Sequence, residues 1–372
     1  MTLLDGITTR TIATDRLTVN ILERAGDDPA ASGEDTLVLI HGNVSSSLFW
    51  QELMQDLPSD LRVIAIDLRG FGGTESLPVD ATRGVRDFSD DVHATLAALD
   101  IDAAHLVGWS MGGGVVMQYA IDHPDQTLSL TLQAPVSPYG FGGTRRDGSR
   151  LTDDDAGCGA GGANPDFVQR LTDRDTAADA PTSPRNVFRS GYVAPDYTSE
   201  HEDIWVESMN TTSTATGNYP GDGVDSTNWP GFAAGTIGVL NTMAPRYFDT
   251  SGIVDIDRKP PVLWVHGTAD AIVSDASFFD LNNLGAIGVI PGWPGEEVAP
   301  AQPMVSQTRD VLEAYRTAGG DVAEVVLEGV GHSPHLERPA EFRRALLERI
   351  GYIGRPADPA PPTEAIILSS WD

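Results

Sequence analysis

The chain has 372 residues, which is enough to bury a large core, so we expect one domain that carries an insertion. Its 54 acidic and 24 basic residues give a formal net charge of −30, and this excludes nucleic acid as a partner because the phosphates would be repelled. No run approaches the ~20 apolar residues of a membrane span, and the first ten residues lack the pattern of a signal peptide, so we expect a cytoplasmic protein without a membrane partner.

The first part of the chain alternates apolar runs with polar loops. Residues 8–13 and 17–23 alternate as the strands of an opening hairpin. The run TLVLI at 36–40 is followed by HGNV, and the run VIAID at 63–67 is followed by LRGFGG. This pattern is typical of buried parallel strands that feed loops. Residues 87–99 predict a helix that leads into the next strand.

That next strand ends at a serine. Residues 105–114 read HLVGWSMGGG, and the apolar residues that follow recur with the spacing of a helix face, so we place Ser110 on a sharp strand-to-helix turn. A Cβ two residues before or after such a serine would collide with the neighbouring strand or helix, and Gly108 and Gly112 remove it. The start of the helix directs free N–H groups at the atom that the serine attacks, which favours an oxyanion there.

The regular alternation stops after a strand predicted at 128–133. Residues 137–250 are dense in Gly, Asp, Pro and Thr and contain only short helical patches, so we expect an inserted, loop-rich and partly helical lid. The core then comprises residues 1–136 and 251–372. Because strands alternate with helices, we predict the α/β class, with a mostly parallel, doubly wound sheet and functional loops at the carboxyl ends of its strands.

Two loops after the late strands carry groups that could activate a serine. Asp270 follows the apolar run at 261–267, and His332 lies in the loop GVGHSP after the run at 323–327. A serine nucleophile needs a base to take its proton and a carboxylate to orient that base. The order Ser110, Asp270, His332 suits this architecture.

Other polar residues near these loops have structural interpretations. We expect His41 to brace its loop, His335 to pack or to be exposed beside His332, and Asp275 to cap a helix. The acidic run at 153–155 lacks the alternating ligands of an EF-hand and predicts a solvated loop. Neither Gly-rich stretch matches a nucleotide-binding pattern, so we expect no metal and no cofactor.

Taken together, these motifs resemble the α/β-hydrolase fold superfamily. The resemblance covers residues 8–136 and 255–350, about two thirds of the chain. It depends on a combination of motifs, which are HGN at 41–43, DLRGFG at 67–72, the GWSMG turn, Asp270 and GHSP at 331–334.

The resemblance implies a role for each of five residues. Ser110 would be the nucleophile, His332 the base and then the acid, and Asp270 the carboxylate that orients His332. The backbone N–H groups of Asn43 and Met111 would form the oxyanion hole. Haloalkane dehalogenases of this superfamily have an aspartate in place of the serine on this strand-to-helix turn, which is called the nucleophile elbow. Ser110 therefore argues against that branch.

A narrower likeness concerns the substrate. The stretches HGNVSSS, IDLRGFG and GWSMGGG are similar to intracellular esterases related to poly(3-hydroxybutyrate) depolymerases, which implies a short hydroxyalkanoate ester or oligoester as substrate. We expect Trp109, Trp50 and Phe141 to wall an acyl pocket. We therefore predict hydrolysis of small carboxylic esters through an acyl-enzyme. A carbon–carbon bond hydrolase or perhydrolase with the same triad, and a non-catalytic ligand-binding protein, stay open as alternatives.

The charge composition also predicts the working conditions of the protein. The acid excess is accompanied by a single lysine, Lys259. This suggests a halophile, since in molar salt the Debye length is only about 3 Å and self-repulsion is screened. The alternative is an ordinary acidic protein from a GC-rich genome, which would also favour arginine over lysine.

Overall fold

The centre of the molecule is a single large sheet. The structure is a computed structural model that describes residues 1–25 and 36–352. These residues form ten strands: β1 Ile7–Ala13, β2 Thr18–Arg24, β3 Thr36–Ile40, β4 Arg62–Ile66, β5 Ala104–Trp109, β6 Thr127–Gln133, β7 Gly223–Asp225, β8 Phe232–Ala234, β9 Val262–Gly267 and β10 Val322–Leu327. Eight of them make one sheet in the order β1-β2-β4-β3-β5-β6-β9-β10, and β7 and β8 pair separately.

The sheet is parallel from β4 to β10 and antiparallel at its β1 edge. β2 pairs antiparallel with both β1 and β4, whereas the later neighbours pair in parallel register, for example Val38 with Leu106. Every residue of β3, β4 and β9 is buried. Strands that are buried along their whole length need cover on both faces, and the predicted α/β class is confirmed.

The described residues also form ten α-helices. They are α1 Gln51–Asp56, α2 Arg86–Ala98, α3 Met111–Asp122, α4 Pro165–Thr172, α5 Pro184–Val187, α6 Glu202–Met209, α7 Leu281–Ala286, α8 Met304–Thr317, α9 Pro334–Glu337 and α10 Pro339–Arg349. α3 is buried over most of its length, because it packs on β5 and β6 and is covered by α2. No helix within residues 1–25 and 36–352 has both the length and the apolarity that crossing a membrane requires.

Two long segments leave the sheet after β6 and after β9. The first runs from residue 134 to 261 and contains α4, α5, α6 and the β7–β8 hairpin, together with a π-helical turn, Phe188–Tyr192. The second runs from residue 268 to 303 and contains only α7 among regular helices. The sequence predicted the first segment as an insertion and did not single out the second. Residues 26–35 and 353–372 of the predicted core lie outside the described part of the chain.

Candidate functional site

Ser110 occupies a strained turn between β5 and α3. Its backbone has φ 57° and ψ −121°, in a region that L-residues other than glycine seldom adopt. The Ser110 N–H donates to the carbonyl of Gln133 at 3.0 Å, and the Ser110 carbonyl accepts from the N–H of Val136 at 3.0 Å. The next strand and its loop therefore hold the serine in a conformation that it would not keep alone.

The turn leaves no room for side chains at the two flanking glycines. A Cβ on Gly108 would lie 2.2 Å from the carbonyl oxygen of Gly112. A Cβ on Gly112 would lie 2.4 Å from the carbonyl oxygen of His41. Both contacts are with backbone atoms, which cannot rotate away, so the turn requires glycine at each position.

The structure brings His332 and Asp270 together although 62 residues separate them. His332 Nδ1 lies 2.8 Å from Asp270 Oδ2, and both side chains are buried. The other carboxylate oxygen, Oδ1, accepts the N–H groups of Ile272 at 2.8 Å and Val273 at 2.9 Å. The carboxylate is thus held from both sides, and its hydrogen bond to Nδ1 leaves Nε2 of the ring available for proton transfer.

Ser110 and His332 line the same cavity. Among the described residues, no hydrogen bond joins the Ser110 hydroxyl to the imidazole. Catalytic hydrogen bonds are often loose in the absence of substrate and tighten in the complex.

Two buried side chains hold the loop of His332 through hydrogen bonds that the sequence did not indicate. Trp109 Nε1 donates to the His332 carbonyl at 2.8 Å. Glu337 accepts the N–H of Gly331 at 3.0 Å and the N–H of Ala194, in the first long segment, at 2.8 Å. Burial raises the pKa of Glu337, and its bonds to backbone N–H groups oppose that rise. Glu337 therefore ties the His332 loop to the segment that covers it.

The proposed oxyanion donors, Asn43 and Met111, lie at the ends of neighbouring strands. Met111 is the first residue of α3, and Asn43 lines the cavity. Within the described residues, neither backbone N–H donates to another protein group. The Tyr192 hydroxyl donates to the carbonyls of Asn43 at 2.9 Å and Val44 at 3.1 Å. The covering segment thus also braces the loop that follows β3.

His41 and His335 have structural positions in this site. His41 is fully buried, and its Nε2 accepts the N–H of Leu68 at 3.0 Å, so it braces its loop as expected. His335 lies between the side chain of Gln133 at 2.7 Å and the carbonyl of Phe49 at 3.1 Å. Burial lowers the pKa of His335 to about 3, so this ring is neutral at physiological pH.

The cavity over Ser110 has a volume of about 350 Å³ and is mainly apolar. Its wall combines residues after β3 and β5 with both long segments, and the second segment supplies a group that includes Ile272, Phe278, Phe279, Asp280, Leu281 and Leu284. None of the described residues that line it is a lysine or an arginine. The sequence missed the second segment because its aromatic and aliphatic residues have no helical or strand periodicity.

Of the three aromatic residues predicted to wall the pocket, two line the cavity and one does not. Trp109 and Phe141 line the cavity. Trp50 does not: it is fully buried, with its ring centre 6.4 Å from that of Trp109 and 4.4 Å from that of His335. The expectation for Trp50 is therefore corrected to core packing, because the helical turn that carries it directs the ring behind Trp109.

The acidic residues outside the triad stabilise loops. Asp275 accepts the N–H of Ser306 at 3.0 Å and so caps α8, as expected. Asp155 differs from the predicted solvated loop, because it is buried and pairs with Arg150 at 2.6 Å and with Arg246 at 3.4 Å. Over residues 1–25 and 36–352, no group of three or more His, Cys, Asp or Glu side chains is arranged to hold a metal ion.

Comparison with known proteins agrees with this architecture. The family model for the alpha/beta hydrolase fold matches residues 35–155. Over 110 residues the chain is 38% identical to the dihydrolipoyllysine-residue acetyltransferase component of the acetoin cleaving system from Cupriavidus necator, covering 30% of this chain and 28% of that one. Over 99 residues it is 39% identical to 2-hydroxymuconate semialdehyde hydrolase from a Pseudomonas species, covering 26% of this chain and 35% of that one. The matches span about a third of the length of these curated relatives.

Solved structures extend the likeness to nearly the whole chain. A crystal structure of an esterase from a Rhodococcus species superposes with a TM-score of 0.53 at 19% identity, covering 94% of this chain and 100% of that one. At this identity the likeness concerns the fold. The strand order, the strained serine turn after β5 and these matches lead to one conclusion, which is that the chain has the α/β-hydrolase fold.

Proposed function

We propose that the protein is a serine hydrolase that cleaves carboxylic esters through an acyl-enzyme. One observation carries the proposal, namely the buried His332–Asp270 pair at 2.8 Å beside a cavity that His332 shares with Ser110. A serine on a strained elbow, a base and a carboxylate that orients the base are the parts of a Ser-His-Asp triad. The fold likeness to an esterase supports the same reaction class.

In the proposed reaction, Ser110 Oγ attacks the ester carbonyl carbon while His332 Nε2 takes the serine proton. The oxyanion accepts hydrogen bonds from the backbone N–H groups of Asn43 and Met111, each of which contributes roughly 3 kcal/mol to the transition state. The intermediate collapses, and His332 gives its proton to the leaving alcohol. A water molecule that His332 deprotonates then attacks the acyl-serine. The bond between the acyl carbon and Ser110 Oγ breaks, His332 returns the proton to Oγ, and the carboxylic acid is released.

The cavity favours a neutral, largely apolar ester. Its lining is mainly apolar, and none of its described residues is a lysine or an arginine that could neutralise a carboxylate. Residues 137–250 would act as the lid that shields the acyl-enzyme from bulk water. Short hydroxyalkanoate esters of the 3-hydroxybutyrate type are the finer proposal, since a hydroxyl needs only one polar partner in such a cavity.

Carbon–carbon bond hydrolysis is the second candidate. The 39% identity to 2-hydroxymuconate semialdehyde hydrolase favours it over the matched 99 residues. That substrate carries a carboxylate, however, and the described lining offers no cation for one. Product analysis on esters and on β-diketones separates the two reactions, because the second requires cleavage between carbons.

Ser110→Ala is the direct test of the proposal. We expect the variant to lose hydrolysis of p-nitrophenyl esters, and to lose covalent labelling by a fluorophosphonate, which reacts with activated serines. Ser149→Ala is the matched control, because Ser149 is exposed and its hydroxyl donates to Asp147 in a loop outside the cavity lining. Ester hydrolysis that persists in Ser110→Ala would end the proposal. A panel of esters of graded acyl length, including hydroxybutyrate oligomers in high salt, then ranks the substrates.

A further inference from the structure

One charged side chain in the cavity wall has no part in the proposed reaction. Asp280 lines the cavity and is 2% exposed. Its Oδ1 accepts the N–H of Asn282 at 3.0 Å, at the start of α7, and its Oδ2 accepts the N–H of Gln302 at 2.7 Å. Each carboxylate oxygen has a further lone pair after accepting one hydrogen bond, so both can accept another donor.

No cation balances this carboxylate among the described residues. Two other buried aspartates have one: Asp91 lies 2.6 Å from Arg69, and Asp155 lies 2.6 Å from Arg150. For Asp280 the partners are backbone N–H groups, and burial raises the pKa of its carboxyl. A buried carboxylate without a counter-ion is costly, and Asp280 belongs to the wall of a cavity that a ligand can enter.

We propose that Asp280 determines substrate specificity by rejecting esters whose acyl group carries a carboxylate and by favouring those whose acyl group carries a hydrogen-bond donor. The inference rests on the proposed ester hydrolysis and names the class of its substrate. In a low-dielectric cavity, two like charges repel strongly because water screens them little. A hydroxyl or an ammonium instead forms a charge-assisted hydrogen bond with a carboxylate.

The purely structural alternative is that Asp280 serves only as a helix cap and a loop anchor. Asp275 provides the matched control for this, because it lies on the same segment and caps α8 through Ser306. Asp275 is exposed and does not line the cavity. Asp280→Asn and Asp275→Asn thus both weaken a cap, and only Asp280→Asn removes charge from the cavity wall.

The test compares kcat/KM for p-nitrophenyl esters with acyl chains of four, six and eight carbons that end in a methyl, hydroxyl, ammonium or carboxylate group. For at least one length, we expect the native enzyme to disfavour the carboxylate relative to the methyl ester by at least about tenfold, and to prefer the hydroxyl or ammonium ester. In Asp280→Asn the preference for the hydroxyl or ammonium ester over the methyl ester should be lost, and the discrimination against the carboxylate ester should shrink to what the apolar lining alone imposes. Asp275→Asn should keep both. Equal use of the carboxylate and methyl esters by the native enzyme would overturn the proposal, and so would unchanged ratios in Asp280→Asn.

Ligand binding keeps this test separate from the proposed reaction. In Ser110→Ala, calorimetry should show that hexylammonium binds more tightly than hexanoate, and adding Asp280→Asn should remove this preference, because the charge of Asp280 attracts the ammonium and repels the carboxylate. If the ligands bind with this order of affinity but the native enzyme hydrolyses no ester, the role of Asp280 in ligand selection is supported and the proposed function is refuted. Ester hydrolysis without discrimination would refute the role of Asp280 alone. Where Asp280→Asn does not fold, the native enzyme's preference for the ammonium or hydroxyl ester over the methyl ester decides the matter, because an apolar wall without a carboxylate would favour the methyl ester.

Discussion

Replacing Tyr192 by phenylalanine should slow the reaction more than it destabilises the fold. The Tyr192 hydroxyl donates to the carbonyls of Asn43 at 2.9 Å and Val44 at 3.1 Å. Asn43 would supply an oxyanion N–H, and Val44 has φ 47°, which is unusual for a β-branched residue and stores strain of about 1–3 kcal/mol. Phenylalanine keeps the ring contacts with Trp109 and His332, so the hydroxyl alone is removed.

The magnitude follows from these contacts. The hydroxyl has one proton, which the two carbonyls share, and losing this hydrogen bond costs about 0.5–1.5 kcal/mol of unfolding free energy. Relaxation of Val44 offsets part of this loss. An oxyanion donor contributes roughly 3 kcal/mol to the transition state, and a displaced Asn43 N–H would lose part of that. We therefore expect kcat to fall about tenfold or more, with KM nearly unchanged, because the lost interaction belongs to the transition state.

Steady-state kinetics on p-nitrophenyl butyrate and urea unfolding measure the two effects. Tyr315→Phe is the matched control, since Tyr315 is fully buried and its hydroxyl donates to the carbonyl of Pro260 at 2.7 Å, outside the cavity lining. We expect this control to lose about 1 kcal/mol of stability and to keep its kcat. A kcat of Tyr192→Phe within twofold of the native value would refute the reasoning, as would an equal fall in the control.

Three further predictions concern stability. Gly112→Ala should destabilise the fold by about 3 kcal/mol and abolish activity, because the new Cβ would lie 2.4 Å from the His41 carbonyl oxygen. Gly252→Ala is the control and should be neutral, since a Cβ at Gly252 meets no atom within 4 Å. Equal losses of stability for the two variants in urea unfolding would contradict this. Burial lowers the pKa of His335 from 6.5 to about 3, so below pH 6.5 the unfolded chain binds a proton that the folded state does not, and stability falls by about 1.4 kcal/mol per pH unit from this residue. His335→Gln should lose that part of the slope between pH 6.5 and 5 in urea titrations, and an unchanged slope would refute the assignment. With a net charge of −30, the urea midpoint should rise between dilute buffer and molar KCl as repulsion is screened, and full stability without salt would count against adaptation to salt.

The elbow and the positions of its partners could be predicted from the sequence because their signals are local. Apolar runs mark the buried strands, and the residues directly after a parallel strand lie at one edge of the sheet. Asp270 and His332 follow β9 and β10, so their meeting at 2.8 Å was predictable from strand ends alone. Gly108 and Gly112 reflect a steric demand within one turn, which is also local.

The tertiary structure alone decided which side chains support or line the site. Tyr192 and Asn43 are 149 residues apart, and Glu337 and Ala194 are 143 apart, in segments without periodicity. Trp50 and Trp109 look alike as aromatic residues beside motifs, yet only Trp109 lines the cavity. Burial and hydrogen-bond partnership are properties of packing between distant segments, whereas periodicity and turn chemistry act over a few residues. The fold and the proposed reaction class could therefore be inferred from the sequence, and the charge and shape of the cavity depend on how the two long segments pack over Ser110.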